Sequence, residues 1–285
     1  VHQRIADRIA MAGALKRAGL LLAAAGLFFT AAATAAPARI VSINVCTDQL
    51  AMLIAGEGQL RSVSMLAADP NSSVMTEEAA AYAVNHALAE EIFLMRPDLV
   101  LAGTYSSRAT VGLLRRLGIA VEEFAPATSF DDIRADIKRV GALLGREARA
   151  AELVAELAAL AAAPHSGRSI ALYEANSYTT GAGTLANEII RAAGLVNVAE
   201  TMGIVGSGRV PLELLIVARP DIVASSFRDY GAPALAQENF VHPAFAALEA
   251  ASQTVATPTP NMICGAPFTL DAAFVLLRAG QEGAR

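Results

Sequence analysis

The chain is poor in the side chains that most catalytic and metal centres use. It has two cysteines, four histidines and no tryptophan in 285 residues, and aromatic residues make up only 5% of it. Two cysteines are too few for a disulfide-framed miniature fold or a four-sulfur zinc site. The histidines (His2, His86, His165 and His242) show no H-E-x-x-H or other ligand spacing, so no resident metal or cofactor is expected. The net charge is −5 and no basic cluster offsets it, which removes the electrostatic footprint of a nucleic-acid binder. Gly206-Ser207-Gly208 is not a G-x-S-x-G elbow and no triad partners are placed around it, which makes a hydrolase, secreted or not, a weak reading. Beyond residue 36 no apolar run reaches the roughly 18 residues that span a bilayer.

What is present begins with an export signal. Arg4, Arg8, Lys16 and Arg17 precede an apolar run over residues 18–33, and Ala33-Thr34-Ala35 is an A-x-A cleavage pattern. Residues 1–36 therefore read as a signal peptide, and the remainder as an exported, periplasmic, soluble chain. That remainder carries 18 basic and 26 acidic residues.

The exported part repeats itself. Glu90 is followed six residues later by Arg96-Pro97-Asp98 and an apolar strand, and Glu213 by Arg219-Pro220-Asp221 and another, 123 residues on. In each copy proline stops a helix, because the residue before it is driven out of the α region. The continuous apolar strand that follows suits a parallel sheet covered on both faces. A second echo pairs residues 39–43 with residues 168–172, each leading through a polar loop to a helix, near residues 50–55 and 184–193. Further strands are expected at 120–124 and 254–256. Alternating strands and helices indicate βαβ units.

Between the halves a helical stretch is expected over about 130–163. Ser129 is its N-cap, Asp131 and Asp132 occupy its first turn, and Ile133, Ile137, Val140 and Leu144 form its apolar face, with Gly145 a candidate break. The predicted organisation is a signal peptide (1–36), an N-terminal lobe (37–128), an interlobe backbone helix (129–164) and a C-terminal lobe (165–285). The fold class is α/β, with two pseudo-symmetric lobes, each with a central parallel sheet, joined by one long backbone helix.

The opening strand at Arg39, both Glu…Arg-Pro-Asp segments, the Ser129-Phe130-Asp131-Asp132-Ile133 helix start and Gly181-Ala182-Gly183-Thr184 together resemble the helical-backbone periplasmic binding proteins of ABC importers for iron–siderophore complexes and vitamin B12. The resemblance covers residues 38–285. It implies a monomer that clamps a small metal chelate between its lobes and delivers it to a permease dimer. It also implies that Glu90 and Glu213 dock to permease arginines, since carboxylate and guanidinium form charge-assisted pairs. Cobalamin recognition in the family leans on aromatic residues, often Trp. With none here, ferric siderophores rank ahead of corrinoids, and haem or a free metal ion are the remaining alternatives.

Ligands of open parallel sheets bind beyond the carboxyl ends of the strands. That rule selects loops 44–48, 64–66 and 104–108 in the first half, and 174–180, 226–230 and 262–264 in the second. The candidate ligand-binding residues in them are Asn44, Cys46, Thr47, Met65, Tyr105, Ser106, Glu174, Asn176, Tyr178, Phe227, Arg228, Met262 and Cys264, with Arg108 a further candidate anion partner. Family geometry places Cys46 and Cys264 near the cleft, one from each lobe. A disulfide, two thiols and a metal-ligating thiolate pair all fit these residues. Gly181-Ala182-Gly183-Thr184-Leu185-Ala186 fits a dinucleotide fingerprint, but a polar loop separates it from the preceding strand, so it reads as a turn and helix entry.

Overall fold

The computed structural model describes residues 36–157, 166–225 and 234–282. Most of the expected signal peptide lies outside the described residues, as do Phe227, Arg228 and His165.

The first lobe is a five-stranded sheet of β1 (Ile40–Ser42), β2 (Leu60–Ser64), β3 (Ala83–Asn85), β4 (Leu99–Gly103) and β5 (Ala120–Phe124) in the order β3-β2-β1-β4-β5. Every pairing is parallel. Helices α1 (Val45–Ile54), α2 (Thr76–Ala79), α3 (Ala89–Leu94) and α4 (Arg108–Arg116) make the crossovers. After α5 (Phe130–Leu144) and α6 (Glu147–Leu157) comes the second sheet, formed by β6 (Ser169–Tyr173), β8 (Val196–Asn197), β10 (Ile222–Ser225) and β11 (Gln253–Ala256). Its order is β11-β10-β6-β8, again all parallel. Both sheets thus place the repeated strands, β1 with β4 and β6 with β10, side by side at the centre. A short antiparallel ribbon pairs β7 (Tyr178–Thr180) with β9 (Ser207–Arg209). The remaining helices are α7 (Leu185–Ala192), α8 (Val198–Thr201), α9 (Leu212–Ala218), α10 (Pro243–Ala251), α11 (Thr259–Ile263) and α12 (Thr269–Glu282).

The two Arg-Pro-Asp segments do the same work in both lobes. Arg96 and Arg219 both adopt left-handed backbone, at φ 50° and 48°, which ends α3 and α9 ahead of the proline. The aspartate then reaches the start of the neighbouring central strand. Asp98 Oδ2 accepts the N–H groups of Ala38 and Arg39 at 3.0 Å, and Asp221 Oδ2 accepts the N–H of Ser169 at 2.7 Å and its hydroxyl at 2.8 Å. These bonds hold the Asp221 carboxyl below the ordinary carboxylate range. The register follows: Ile40 lies opposite Leu99, and Ile170 opposite Ile222.

The stretch between the lobes differs from a single rod. Ser129 caps α5 by accepting from the Asp132 N–H, and Ile133, Ile137, Val140 and Leu144 are buried. At Gly145, however, the chain turns left-handed (φ 64°), and α6 follows as a separate helix. Gly141 and Ala150 let the two helices touch, since a Cβ on Gly141 would lie 2.4 Å from the Ala150 methyl carbon. One apolar cluster then runs from β1 and β4 through α5 and α6 to β6, β10 and α12.

Beside this core the first lobe buries a polar cluster at the carboxyl end of its sheet. Asn85 donates to Ser42 O and Ser62 Oγ, and Ser64 donates to Asp48 Oδ2 at 2.5 Å. Asp48 is fully buried in the first turn of α1, and its Oδ1 has no partner among the described residues. Burial pushes its carboxyl up from 3.8 to about 6.

Two predictions follow from the core. Gly141→Ala should lower stability by about 1–3 kcal/mol through overpacking against Ala150, although alanine is the better helix former by about 1 kcal/mol; a denaturant midpoint at or above wild type would contradict the close packing. Asp48, raised in the fold, opposes stability once ionised, so this part of the stability falls as pH rises from about 4 through about 6. Asp48→Asn should therefore gain on wild type between pH 4 and 7.5, by on the order of 3 kcal/mol at most. Parallel pH profiles for the two proteins would show that the carboxyl does not titrate there.

Candidate functional site

The strand ends of the two sheets meet at one covalent link. Cys46 stands in the first turn of α1, just beyond β1, and Cys264 follows α11, beyond β11; they form a disulfide with Cα atoms 5.0 Å apart, 218 residues distant in sequence. Of the three cysteine states that fit the sequence, the structure contains the disulfide. Loop 44–48 is accordingly not a loop. Asn44 Oδ1 accepts the Cys46 N–H at 3.0 Å and starts α1 there, five residues before the expected helix. This turns Thr47 inward, where its hydroxyl meets Ser42 Oγ at 2.8 Å, so it belongs to the buried polar cluster and is not presented to a ligand. Met262 and Cys264 are likewise buried.

Other candidates remain at the strand ends. Met65, at the end of β2, is 55% exposed, and Tyr105, after β4, is 87% exposed. Ser106 Oγ accepts the Gly103 N–H at 3.1 Å and fixes that turn, while Arg108 opens α4 on the surface.

The second lobe builds its side of the site with an unusual turn. Asn176 and Ser177 are both left-handed, at φ 57° and 61°, a conformation that non-glycine residues seldom adopt twice running. The turn is closed by the Glu174 N–H donating to Tyr178 O at 2.8 Å and by the Tyr173 hydroxyl donating to Ser177 Oγ at 2.9 Å. Glu174 thus precedes the bend, Asn176 is part of it, and Tyr178 begins β7, 43% exposed. Directly opposite on β9 stands Arg209, whose guanidinium lies over that ring, 4.9 Å from the centroid. Sequence reading missed Arg209. The only local signal is the Gly-Ser-Gly-Arg run, which says nothing of the ribbon that brings it to Tyr178.

The dinucleotide-like glycines serve this ribbon. A Cβ on Gly181 would lie 2.1 Å from Ile204 O, so the missing side chain makes room for the chain leading into β9 and not for a phosphate. The segment is a turn and helix entry, as expected, and Thr184 caps α7 by accepting from the Asn187 N–H.

Glu90 and Glu213 are each the second residue of their helix, α3 and α9, and both are exposed. His86 is tied to the neighbouring Glu91, which accepts from its N–H at 2.8 Å. Among the described residues no group of three or more His, Cys, Asp or Glu could hold a metal, and no helix is long and apolar enough to cross a membrane. A cavity of about 620 Å³ lies at the amino ends of β6 and β10, lined by Arg168, Arg219, Asp221 and Leu248. It is therefore at the opposite edge of the second sheet from the loops described above.

A cobalamin-binding protein of Halobacterium salinarum is 34% identical over 145 residues, which is 48% of this chain but only 39% of that protein, so the match spans about two fifths of its length. The fold superposes on the apo form of the periplasmic heme-binding protein RhuT from Roseiflexus sp. RS-1 with a TM-score of 0.68 at 22% identity, covering 87% of this chain and 99% of that one. It also superposes on an ABC-type Fe3+-hydroxamate transport system from Saccharomonospora viridis with a TM-score of 0.62 at 22% identity, covering 86% and 94%. Residues 40–255 match the periplasmic binding protein family, and the chain belongs to that family.

Proposed function

We propose that this chain is the substrate-binding component of an ABC importer, exported to the periplasm, which captures a metal-chelate nutrient between its lobes and delivers it to a permease dimer. It binds and does not catalyse. The observation that carries the reading is the union of the two sheets' carboxyl ends at the Cys46–Cys264 bridge, with aromatic and cationic groups on segments that follow those strand ends.

The chemistry of that face favours an anionic chelate with flat or aromatic parts. Tyr178 and Tyr105 offer rings, Met65 offers a soft apolar surface, and Arg209 offers a cation whose aromatic contact keeps it oriented. A ferric siderophore fits best, and haem shares the same requirements. A corrinoid is the second reading, supported by the cobalamin-binding relative.

Thermal unfolding against ferric siderophores, haem, cobalamin and cobinamide tests this. A true ligand at a hundredfold excess over Kd stabilises by about 2.7 kcal/mol, a rise of roughly 5–10 °C for a chain of this size. Arg209→Ala should weaken an anionic chelate about tenfold or more while leaving a neutral corrinoid unaffected. Cobalamin alone raising the melting temperature, with Arg209→Ala silent, would move the assignment to corrinoids. Docking is tested separately: Glu90→Ala with Glu213→Ala should abolish uptake in cells and leave ligand affinity unchanged, and a large affinity loss would take these residues out of the docking role.

A further inference from the structure

The docking reading concerns two glutamates, but the repeat holds more than the fold and the glutamates require. Each copy carries a carboxylate, an aliphatic residue four positions later and an arginine six positions later: Glu90, Leu94 and Arg96, then Glu213, Val217 and Arg219. The fold explains the prolines, which are buried, and the aspartates, which pin the central strands. It explains the main chain of Arg96, whose carbonyl accepts from Arg39 Nε at 2.7 Å. It does not explain the other side chains. Leu94 is 78% exposed and Val217 76%, among the most exposed large apolar residues of the described chain. Both arginine side chains are exposed and make no hydrogen bond or ion pair among the described residues. Their backbone is left-handed, where glycine or asparagine is the economical choice. Two copies of the same locally unfavourable residue, each with an unused side chain, point to a role outside folding.

We propose, on the basis of the importer reading, that each lobe docks through a three-point patch of carboxylate, aliphatic group and guanidinium. The permease dimer then offers the complement twice: a cation, an apolar surface and an acidic or carbonyl acceptor. Glutamate and leucine or valine at i and i+4 share one face of a helix, so the apolar contact lies beside the ion pair and shields it from water. A lone exposed carboxylate gives little affinity and tolerates sliding. Opposite charges at the two ends of a short helix fix both direction and register.

The test uses the full exported chain and the permease–ATPase complex of its own importer in nanodiscs, reading the docking Kd, the melting temperature and the affinity for a chelate identified above. Three double variants are compared: Arg96→Gly with Arg219→Gly, Leu94→Ser with Val217→Ser, and Glu90→Ala with Glu213→Ala. Each should weaken docking about tenfold or more without changing chelate affinity. The glycine pair should melt at or above wild type, since glycine accepts the left-handed backbone. The three-point patch is overturned if the glycine and serine pairs dock within twofold of wild type while the glutamate pair fails, which leaves lone carboxylates and the importer reading intact. If the glutamate pair also docks normally, the docking reading falls and the patch with it. Concentration-dependent self-association that the variants abolish would assign the patches to a second copy of the chain and overturn the proposal as well.

Discussion

The steric demand of two prolines organises both halves of this protein. Pro97 and Pro220 forbid a right-handed helical conformation to the residue before them, so α3 and α9 end at a left-handed arginine and the chain turns at once into a strand. The next residue is an aspartate whose carboxylate collects the free N–H groups at the start of the neighbouring central strand. Turn and clamp together set the register of β1 against β4 and of β6 against β10. Once those pairs are aligned, the outer strands add by ordinary parallel pairing, and all carboxyl ends of a sheet emerge on one edge.

The two sheets are then held to each other in three ways. One apolar cluster runs through α5 and α6 into both lobes, the pair of helices connects them, and the Cys46–Cys264 bridge ties them covalently near the start of α5, where Gly265 packs against Ile133. A bridge between residues so distant in sequence restricts the unfolded chain strongly, by about 5 kcal/mol in chain-entropy terms. It also limits how far apart α1 of the first lobe and the segment after α11 of the second can move. A binder so constrained needs its site already shaped, which accords with the rigid, hydrogen-bonded turn beneath Tyr178.

Much of the fold was legible because its signals are local. Arg-Pro-Asp, the Ser129 cap, the helix entry after Gly181-Ala182-Gly183 and the apolar strands each act within a few residues, and all of them appear where the sequence puts them. What escaped depends on partners far away. Asn44 looks like a loop residue until its carboxamide is seen to cap α1, which sends Thr47 inward. Arg209 gains meaning only from a ribbon pairing with a strand about thirty residues earlier. Asp48 is an unremarkable helix-start acid in sequence, and only the stacked strands above it bury its carboxyl. Gly145 stood out as a break, but that the two helices then touch at Gly141 and Ala150 is a property of the packing.

The boundary between what repeats and what does not separates two kinds of constraint. The echo runs through the helix, the left-handed arginine, the proline, the aspartate and the strand, and it stops where each strand reaches its carboxyl end. Beyond that point the halves diverge: a simple turn carries Tyr105 in one, and a doubly left-handed bend with an antiparallel ribbon carries Tyr178 and Arg209 in the other. In the importer reading this division has a physical reason. A permease dimer presents the same surface twice, so the lobes gain by keeping the same groups at the same spacing on their outer helices. A chelate clamped between the lobes meets each of them with a different face, so the loops that touch it have no cause to stay alike. Symmetry in the sequence then marks the side turned to the partner, and its loss marks the side turned to the ligand.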